Sequence, residues 1–328
     1  MAIQNHFDLK QLIVRSSEIE EEYNDQSAKI CGSSVNFSRH FDLKRIGVHL
    51  VRVPVGMRTS KPHAEKTEDE FVFVIDGEVD LWFNGRIKKM QSGECIGFPA
   101  GTGVGHCFIN NSQKEVLLFV VGERTKNDNQ CHFHLEPELK EELKVFWWAD
   151  MPLQNLGPHN GWPGSVDKSM IDESIETINS SEALKSAQTS SYPGDTETFG
   201  HGVCLSRDFK IGTFAVWLEK LPPGLRSAWP HAHSVEEEFV FVLEGTPTLW
   251  LNHEDYKIES FSAVDFKAGS GIAHAVYNKS SKDVFYLCVG ECEAPSDKIF
   301  YPLHPERNQQ MRAKGRLWED CPKQRFPF

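Results

Sequence analysis

The chain repeats itself. The stretch PHAEKTEDEFVFVIDG from Pro62 returns as PHAHSVEEEFVFVLEG from Pro230. His63 maps onto His231, an offset of 168. The same offset carries Glu70 to Glu238, Gly77 to Gly245, Trp82 to Trp250, Gly101 to Gly269, His106 to His274 and Asn110 to Asn278. The match runs without a gap from Ser38-Arg39, paired with Ser206-Arg207, to Pro137-Glu138, paired with Pro305-Glu306. Chance does not hold a register over that distance, so the chain must build one unit twice. With 328 residues it has room for two cores of ordinary size. The predicted division is an N-terminal extension over 1–32, a first copy over 33–152, a linker over 153–200, and a second copy with a C-terminal tail over 201–328.

Each copy reads as β. Phe71-Val72-Phe73-Val74-Ile75 ends at the turn signal Asp76-Gly77, and Leu81-Trp82-Phe83 at Asn84-Gly85, the pair that favours a type I′ hairpin. Short strands then recur about every ten residues, the pattern of a sandwich or barrel. The expected class is all-β, two tandem barrels with peripheral helices at Leu9 to Tyr23 and near Glu136 to Phe146. Residues 165–199 are rich in Ser, Thr, Asp and Glu. Met170, Ile171, Ile175, Ile178 and Leu184 space out as one face of an amphipathic helix there, or the stretch is a plain connector.

Charge and pattern exclude several roles. A net charge of −12 repels phosphate backbones and argues against nucleic acid. No apolar run is long enough for a membrane span, and the start lacks the basic-then-apolar layout of a secretory signal, so the cytoplasm is the expected compartment. Eight scattered cysteines without a CxxC pair (Cys31, Cys95, Cys107, Cys131, Cys204, Cys288, Cys292 and Cys321) read as free thiols in a reducing environment.

The chemistry gathers in the second copy. His231 and His233 are two apart, so on a strand both rings face one side. Glu238 follows after a short turn, and His274 opens a later strand behind Ala268-Gly269-Ser270-Gly271. Three imidazoles and a carboxylate converging in a barrel suit one divalent ion: iron, manganese, nickel, copper or zinc. Such a set leaves positions for water, substrate or dioxygen, as catalytic sites do and closed structural ones do not. The bland alternative is a set of hydrogen-bonded core histidines, but burying that many polar rings is costly unless they are satisfied together.

These residues resemble the cupin superfamily. Its first motif, G(X)5–6HXH(X)3–4E(X)6G, is matched from Gly224 through His231, His233 and Glu238 to Gly245. Its second, PXG followed by H(X)3N, is matched around Gly269, His274 and Asn278, with Lys267 where the family has proline. In the first copy Pro99, Gly101, His106 and Asn110 match the second motif in full. The duplication makes the chain similar to bicupins. The resemblance implies the double-stranded β-helix, or jelly-roll-like, fold and carries metal roles onto these positions. It does not carry a substrate, because cupins include dioxygenases, decarboxylases, isomerases, lyases, sugar-binding modules and storage proteins.

The first copy departs at one position. Glu65 stands where the second has His233, giving His63, Glu65, Glu70 and His106. Either a second, harder and more anionic metal site survives there, or that barrel is purely structural. Two converging carboxylates without a cation would repel, leaving one protonated to an unusually high pH. Strand parity adds Trp229, Val240, Val242 and Val276 as substrate-pocket residues in the second copy, although inward apolar residues more often simply fill a barrel. Arg226 has the wrong parity and is expected to face out. The leading reading is a mononuclear-metal oxidoreductase of the dioxygenase type, acting on a small organic molecule in the second barrel. The alternative is a metal-dependent isomerase or lyase, or a non-catalytic binding module. No separate acid–base pair is visible, and a homodimer is possible.

Overall fold

The Asn-Gly pair turns the chain as its chemistry requires. The computed structural model describes residues 8–23, 29–30, 32–124, 126–192, 195–292 and 296–322. In it Asn84 and Gly85 sit at φ 47° and 80°. Two left-handed residues make the type I′ geometry that joins Glu78–Phe83 to Arg86–Gln91 in antiparallel register. The second copy makes the same turn with Asn252 and His253 at 44° and 75°. His253 there carries strain that glycine avoids.

The chain divides into two units, one of residues 19–185 and 205–215, the other of residues 1–18, 186–204 and 216–328. In the first, a seven-stranded antiparallel sheet centres on Glu94–Phe98, Glu70–Asp76, Val116–Glu123 and Ile46–Val53, and a five-stranded sheet runs Cys131–Phe133, His63–Glu65, His106–Ile109, Glu78–Phe83, Arg86–Gln91. Inward-facing residues of both (Val72, Val74, Leu81, Ile96, Phe108 and Leu118 among them) form its core. In the second unit the large sheet centres on Ser262–Phe266, Glu238–Glu244, Val284–Glu291 and Phe214–Leu221. Its other sheet joins Glu254–Lys257, Thr248–Leu251 and His274–Tyr277, with Ala232–His233 paired to Ile299–Phe300. Glu70 pairs with Phe98 and Gly122, and Glu238 with Phe266 and Gly290, so the offset of 168 holds in the hydrogen-bond ladder too.

The motif asparagines hold this frame together. Buried Asn278 donates to the carbonyls of Leu221 and Lys282 and accepts from Ser280, and Asn110 repeats the pattern with Val53, Lys114 and Ser112. Each satisfies buried backbone groups of separate segments, which gives the family's asparagine a structural role.

Three expectations change. Leu9 to Tyr23 is not a helix but two short 3-10 turns and the strands Ile13–Arg15 and Glu22–Tyr23. Ile13–Arg15 adds to the edge strand Ser262–Phe266, where its ladder bonds outweigh a helical pattern too short to stand alone. Residues 165–185 are neither one helix nor a free connector. A 3-10 turn at Lys168–Met170, the strand Ile178–Asn179 against Glu94–Cys95, and the helix Ser180–Lys185 lay them on the first barrel in pieces. Met170 and Ile175 pack against separate clusters of its core, so the apolar spacing served two contacts and not one face. Arg226 does not face out: it is half-buried in a bidentate pair with Glu197, beside the Tyr277 hydroxyl. Short helical turns do occupy Pro137 to Phe146. The seven described cysteines are free thiols, and Cys31 lies outside the described residues. No helix among the described residues is long and apolar enough to cross a membrane.

Candidate metal centre

In the second barrel the strand start at His274, the edge at His231 and the strand start at Glu238 bring three side chains together. Their ligand atoms all lie within 4.8 Å of one another. Glu238 Oε2 is 3.1 Å from His274 Nε2 and 3.8 Å from His233 Nε2. His231 is held to His274 by a cross-strand backbone pair, which fixes their rings 4.8 Å apart. Phe266 stacks on His274 at 3.8 Å and Tyr301 lies over His231 at 5.7 Å, so neither ring is free to turn away.

The outer nitrogens are all engaged. His231 Nδ1 sits 2.7 Å from the Trp229 carbonyl, His274 Nδ1 3.5 Å from that of Ile272, and His233 Nδ1 2.8 Å from Asp297 Oδ2. A ring that donates through Nδ1 presents its Nε2 lone pair to the centre, as a metal requires. The electrostatics agree. Burial pushes His231 down to about 3, reinforced by His274 and His233, so it is neutral at any ordinary pH. Burial would raise the Glu238 carboxyl, but His274, His231 and His233 override it and hold Glu238 below the usual carboxylate range. Burial works against a charge on His233 too, but its bond to Asp297 and the carboxylates of Glu238 and Glu236 raise it, so an ion binding through this ring would displace a proton.

Asp297 was not legible as part of the site. It is buried, accepts the backbone N–H groups of Val235 and Glu236, and holds His233 with its other oxygen. Burial works against its charge, but the bond to His233 brings it down to about 2. Its counterpart is Asn129, which accepts from Thr67 and lies beside Glu65. Acceptor and donor have thus exchanged together: His233 with Asp297, Glu65 with Asn129. Asp297→Asn should weaken metal binding in the second barrel by about ten- to a hundredfold while leaving the fold intact. Titration calorimetry of the chelated protein would show this, and an unchanged affinity would mean that Asp297 does not orient His233.

In the first barrel His63, Glu70 and His106 form the equivalent cluster, with Phe98 stacked on His106 at 3.7 Å and Phe133 over His63. Glu65 does not join it by ligand-atom distance. It instead accepts from the Cys131 thiol at 3.6 Å and lines a small cavity with Glu68, Glu70 and His106. Burial pushes its carboxyl up to about 8, and Glu70 and Glu68 add to the shift. Because Glu65 keeps its proton in the folded chain and loses it when unfolded, chelated protein should lose stability from about pH 4.5 up to pH 8, at a limiting slope of about 1.4 kcal/mol per pH unit, and level off above. Glu65→Gln should remove that slope and unfold at higher denaturant from neutral pH upward. Parallel curves for the two proteins across this window would contradict the shift.

The pocket residues expected from parity are separated. Val240, Val242 and Val276 are sealed into the core of the second barrel. Trp229 belongs to another cluster with Phe199, Tyr301 and Met311, its indole N–H donating to Glu197. All four are packing residues in this structure, each two to four positions from a candidate ligand.

Beyond the clusters the two interiors diverge. The first barrel has Val51, Leu118 and Val120, with Leu118 directly opposite Val51. The second has Glu219, Tyr286 and Cys288 at these positions. The Cys288 thiol reaches Glu238 Oε1 at 3.4 Å. Glu219 lies across from Gly202, where a Cβ would come within 2.4 Å of its carboxylate. Only a glycine on the neighbouring strand leaves room for this acid. Burial, then the charge of Glu238, pushes Glu219 up to about 7. A single ionisable group therefore lies beyond the cluster, where the sequence reading saw no acid–base pair.

Residues 49–122 and 217–290 each match the family model described as Cupin domain. The chain thus carries two cupin domains in tandem, the fold of a bicupin. Among solved structures it is similar to oxalate decarboxylase of Lactobacillus farciminis in a formate complex, with 12% identity and a TM-score of 0.56 over 95% of this chain and 93% of that one. It is also similar to a variant of Bacillus subtilis oxalate decarboxylase, with 15% identity and a TM-score of 0.57 over 97% and 87%. A variant of salicylate 1,2-dioxygenase from Pseudoaminobacter salicylatoxidans aligns at 15% identity and a TM-score of 0.54 over 79% and 74%. At these identities the likeness shows the fold. Among curated proteins none matches the chain.

Proposed function

We propose that the second barrel is a mononuclear-metal enzyme site acting on a small organic substrate. The observation that supports this best is the His231, Glu238 and His274 cluster, with His233 beside it at 3.8 Å from Glu238 and held by Asp297 and near Glu236 in an adjoining group. Three imidazole nitrogens and a carboxylate suit iron, manganese, nickel, copper or zinc. Such an ion would supply Lewis acidity and, where it is redox-active, a place for dioxygen to react. The protein's own part is to fix the rings, to keep Glu238 ionised and to bury the site among apolar side chains, which strengthens every charge interaction within it. An oxygen-consuming reaction is the first reading, in keeping with a dioxygenase among the structural relatives. A non-redox lyase or isomerase is the second, and Glu219 favours it. The decarboxylases among those relatives act on a small carboxylate by name. In the first barrel, His63, Glu70 and His106 would hold a further ion, with Glu65 beside them adding negative charge.

Metal analysis of anaerobically purified protein, followed by oxygen-electrode assays with catechol, salicylate, acetylacetone and cysteine, tests the reading. One tightly held ion and oxygen uptake with any of these supports the oxidative form. Bound ion without uptake favours the non-redox form, and no ion overturns both.

A further inference from the structure

Glu219 is unusual for a strand residue inside a barrel. It is half-buried, and among the described residues no hydrogen bond or ion pair reaches its carboxylate. The groups that sense its charge are Tyr286 and Cys288 on the adjacent strand Val284–Glu291, and Cys288 in turn touches Glu238. The Tyr286 ring is buried and hydrogen-bonded to Ser227. The row Glu238, Cys288, Glu219, Tyr286 thus runs inward from the candidate metal cluster. At the three positions beyond the ligand the first barrel has only aliphatic side chains, so the fold itself has no need of an acid there. A buried carboxylate without a partner costs stability and persists where chemistry uses it.

We propose that Glu219 is the proton-transfer group of the second barrel, acting on a small carbonyl-bearing acid held at the neighbouring His/Glu cluster; this rests on the metal-site reading above. As a carboxylate, Glu219 takes a proton from the carbon beside the substrate carbonyl. The C–H bond breaks, its electron pair stays with the substrate as the enolate, and an O–H bond forms on Glu219. The acid exchanges its proton with solvent water and then protonates the enolate carbon, re-forming the carboxylate. Nothing is oxidised or reduced, and no co-reactant is consumed.

Pyruvate in D2O is the probe. Zinc-loaded full-length protein should exchange the pyruvate methyl protons for deuterium, followed by proton NMR, faster than the same concentration of free zinc. Glu219→Gln should slow this exchange by about a hundredfold while calorimetry finds its zinc stoichiometry unchanged. Glu219→Val, which copies the first barrel, should abolish exchange and raise the melting temperature of the chelated protein by about 3 °C, because an unpartnered charge leaves the interior. Wild type exchanging no faster than free zinc, Glu219→Gln exchanging at the wild-type rate, or Glu219→Val melting lower would each overturn the proposal. If calorimetry finds no zinc on wild type, the metal-site reading fails first and the proposal falls with it.

Discussion

Replacing His233 and His274 together with alanine should strip one metal equivalent from the chain and leave it folded. Half of the second ligand set is then gone. Where binding at such a set is worth on the order of 10 kcal/mol, the expected loss in affinity is about a thousandfold or more. The fold does not rest on these two side chains. Their backbone pairs, His274 with His231 and His233 with Ile299, survive the change, and circular dichroism of the double variant should match wild type. Elemental analysis after desalting reads the stoichiometry. Any metal that remains belongs to the first barrel, whose own cluster is untouched, and adding His106→Ala should remove it. An unchanged stoichiometry in the double variant would mean that the second cluster is a packed set of histidines and no more.

The second large effect is structural. Asp69 is buried and accepts four hydrogen bonds: from the backbone of Ala100 at 2.8 Å, Gly212 at 3.0 Å and Thr213 at 3.2 Å, and from the Thr213 hydroxyl at 2.9 Å. One carboxylate therefore ties the turn before His106 to the segment 205–215 within the first unit. Asp69→Ala leaves these donors to weak or no partners, at about 1 kcal/mol or more each where they are out of water. Since Gly212 is exposed and recovers water readily, the sum should be about 3 kcal/mol, and the melting temperature of this unit should fall by about 10 °C. Asp69→Asn keeps one acceptor and should lose less. Equal losses for the two variants would show that size and not hydrogen bonding sets the effect.

Much of this molecule is written in its sequence, for reasons that differ from part to part. The repeat was legible because a duplicated core keeps its register, and Glu70 and Glu238 do pair with equivalent partners. The turn at Asn84-Gly85 was legible because only a few residues accept two positive φ angles in succession. The convergence of His231, Glu238 and His274 was legible because the motif fixes residue type and spacing at once. Asp297 was not: it stands 64 residues from His233, in a loop where a single acid carries no period, and only the turn of the chain brings them together. Comparing the copies position by position would have exposed it, since Asp297 and Asn129 differ where His233 and Glu65 differ. Glu219 sits in FAVWLEKL, where it reads as one more polar residue on an exposed strand face. Its inward direction follows from the pairing with Gly202, which no local pattern contains. The valines at 240, 242 and 276 show the opposite failure: parity placed them inward correctly, but inward in a filled barrel means core. The segment Leu9 to Tyr23 failed because an open sheet edge captured Ile13–Arg15.

Anomalous diffraction from crystals soaked in a manganese or zinc salt, recorded at the absorption edge of that metal, tests the metal centre most directly. A peak is expected within bonding distance of His231 Nε2, His233 Nε2, His274 Nε2 and a Glu238 oxygen, and it should vanish in the His233→Ala, His274→Ala variant. A metal-saturated crystal with no peak among these four side chains would contradict a metal centre in the second barrel.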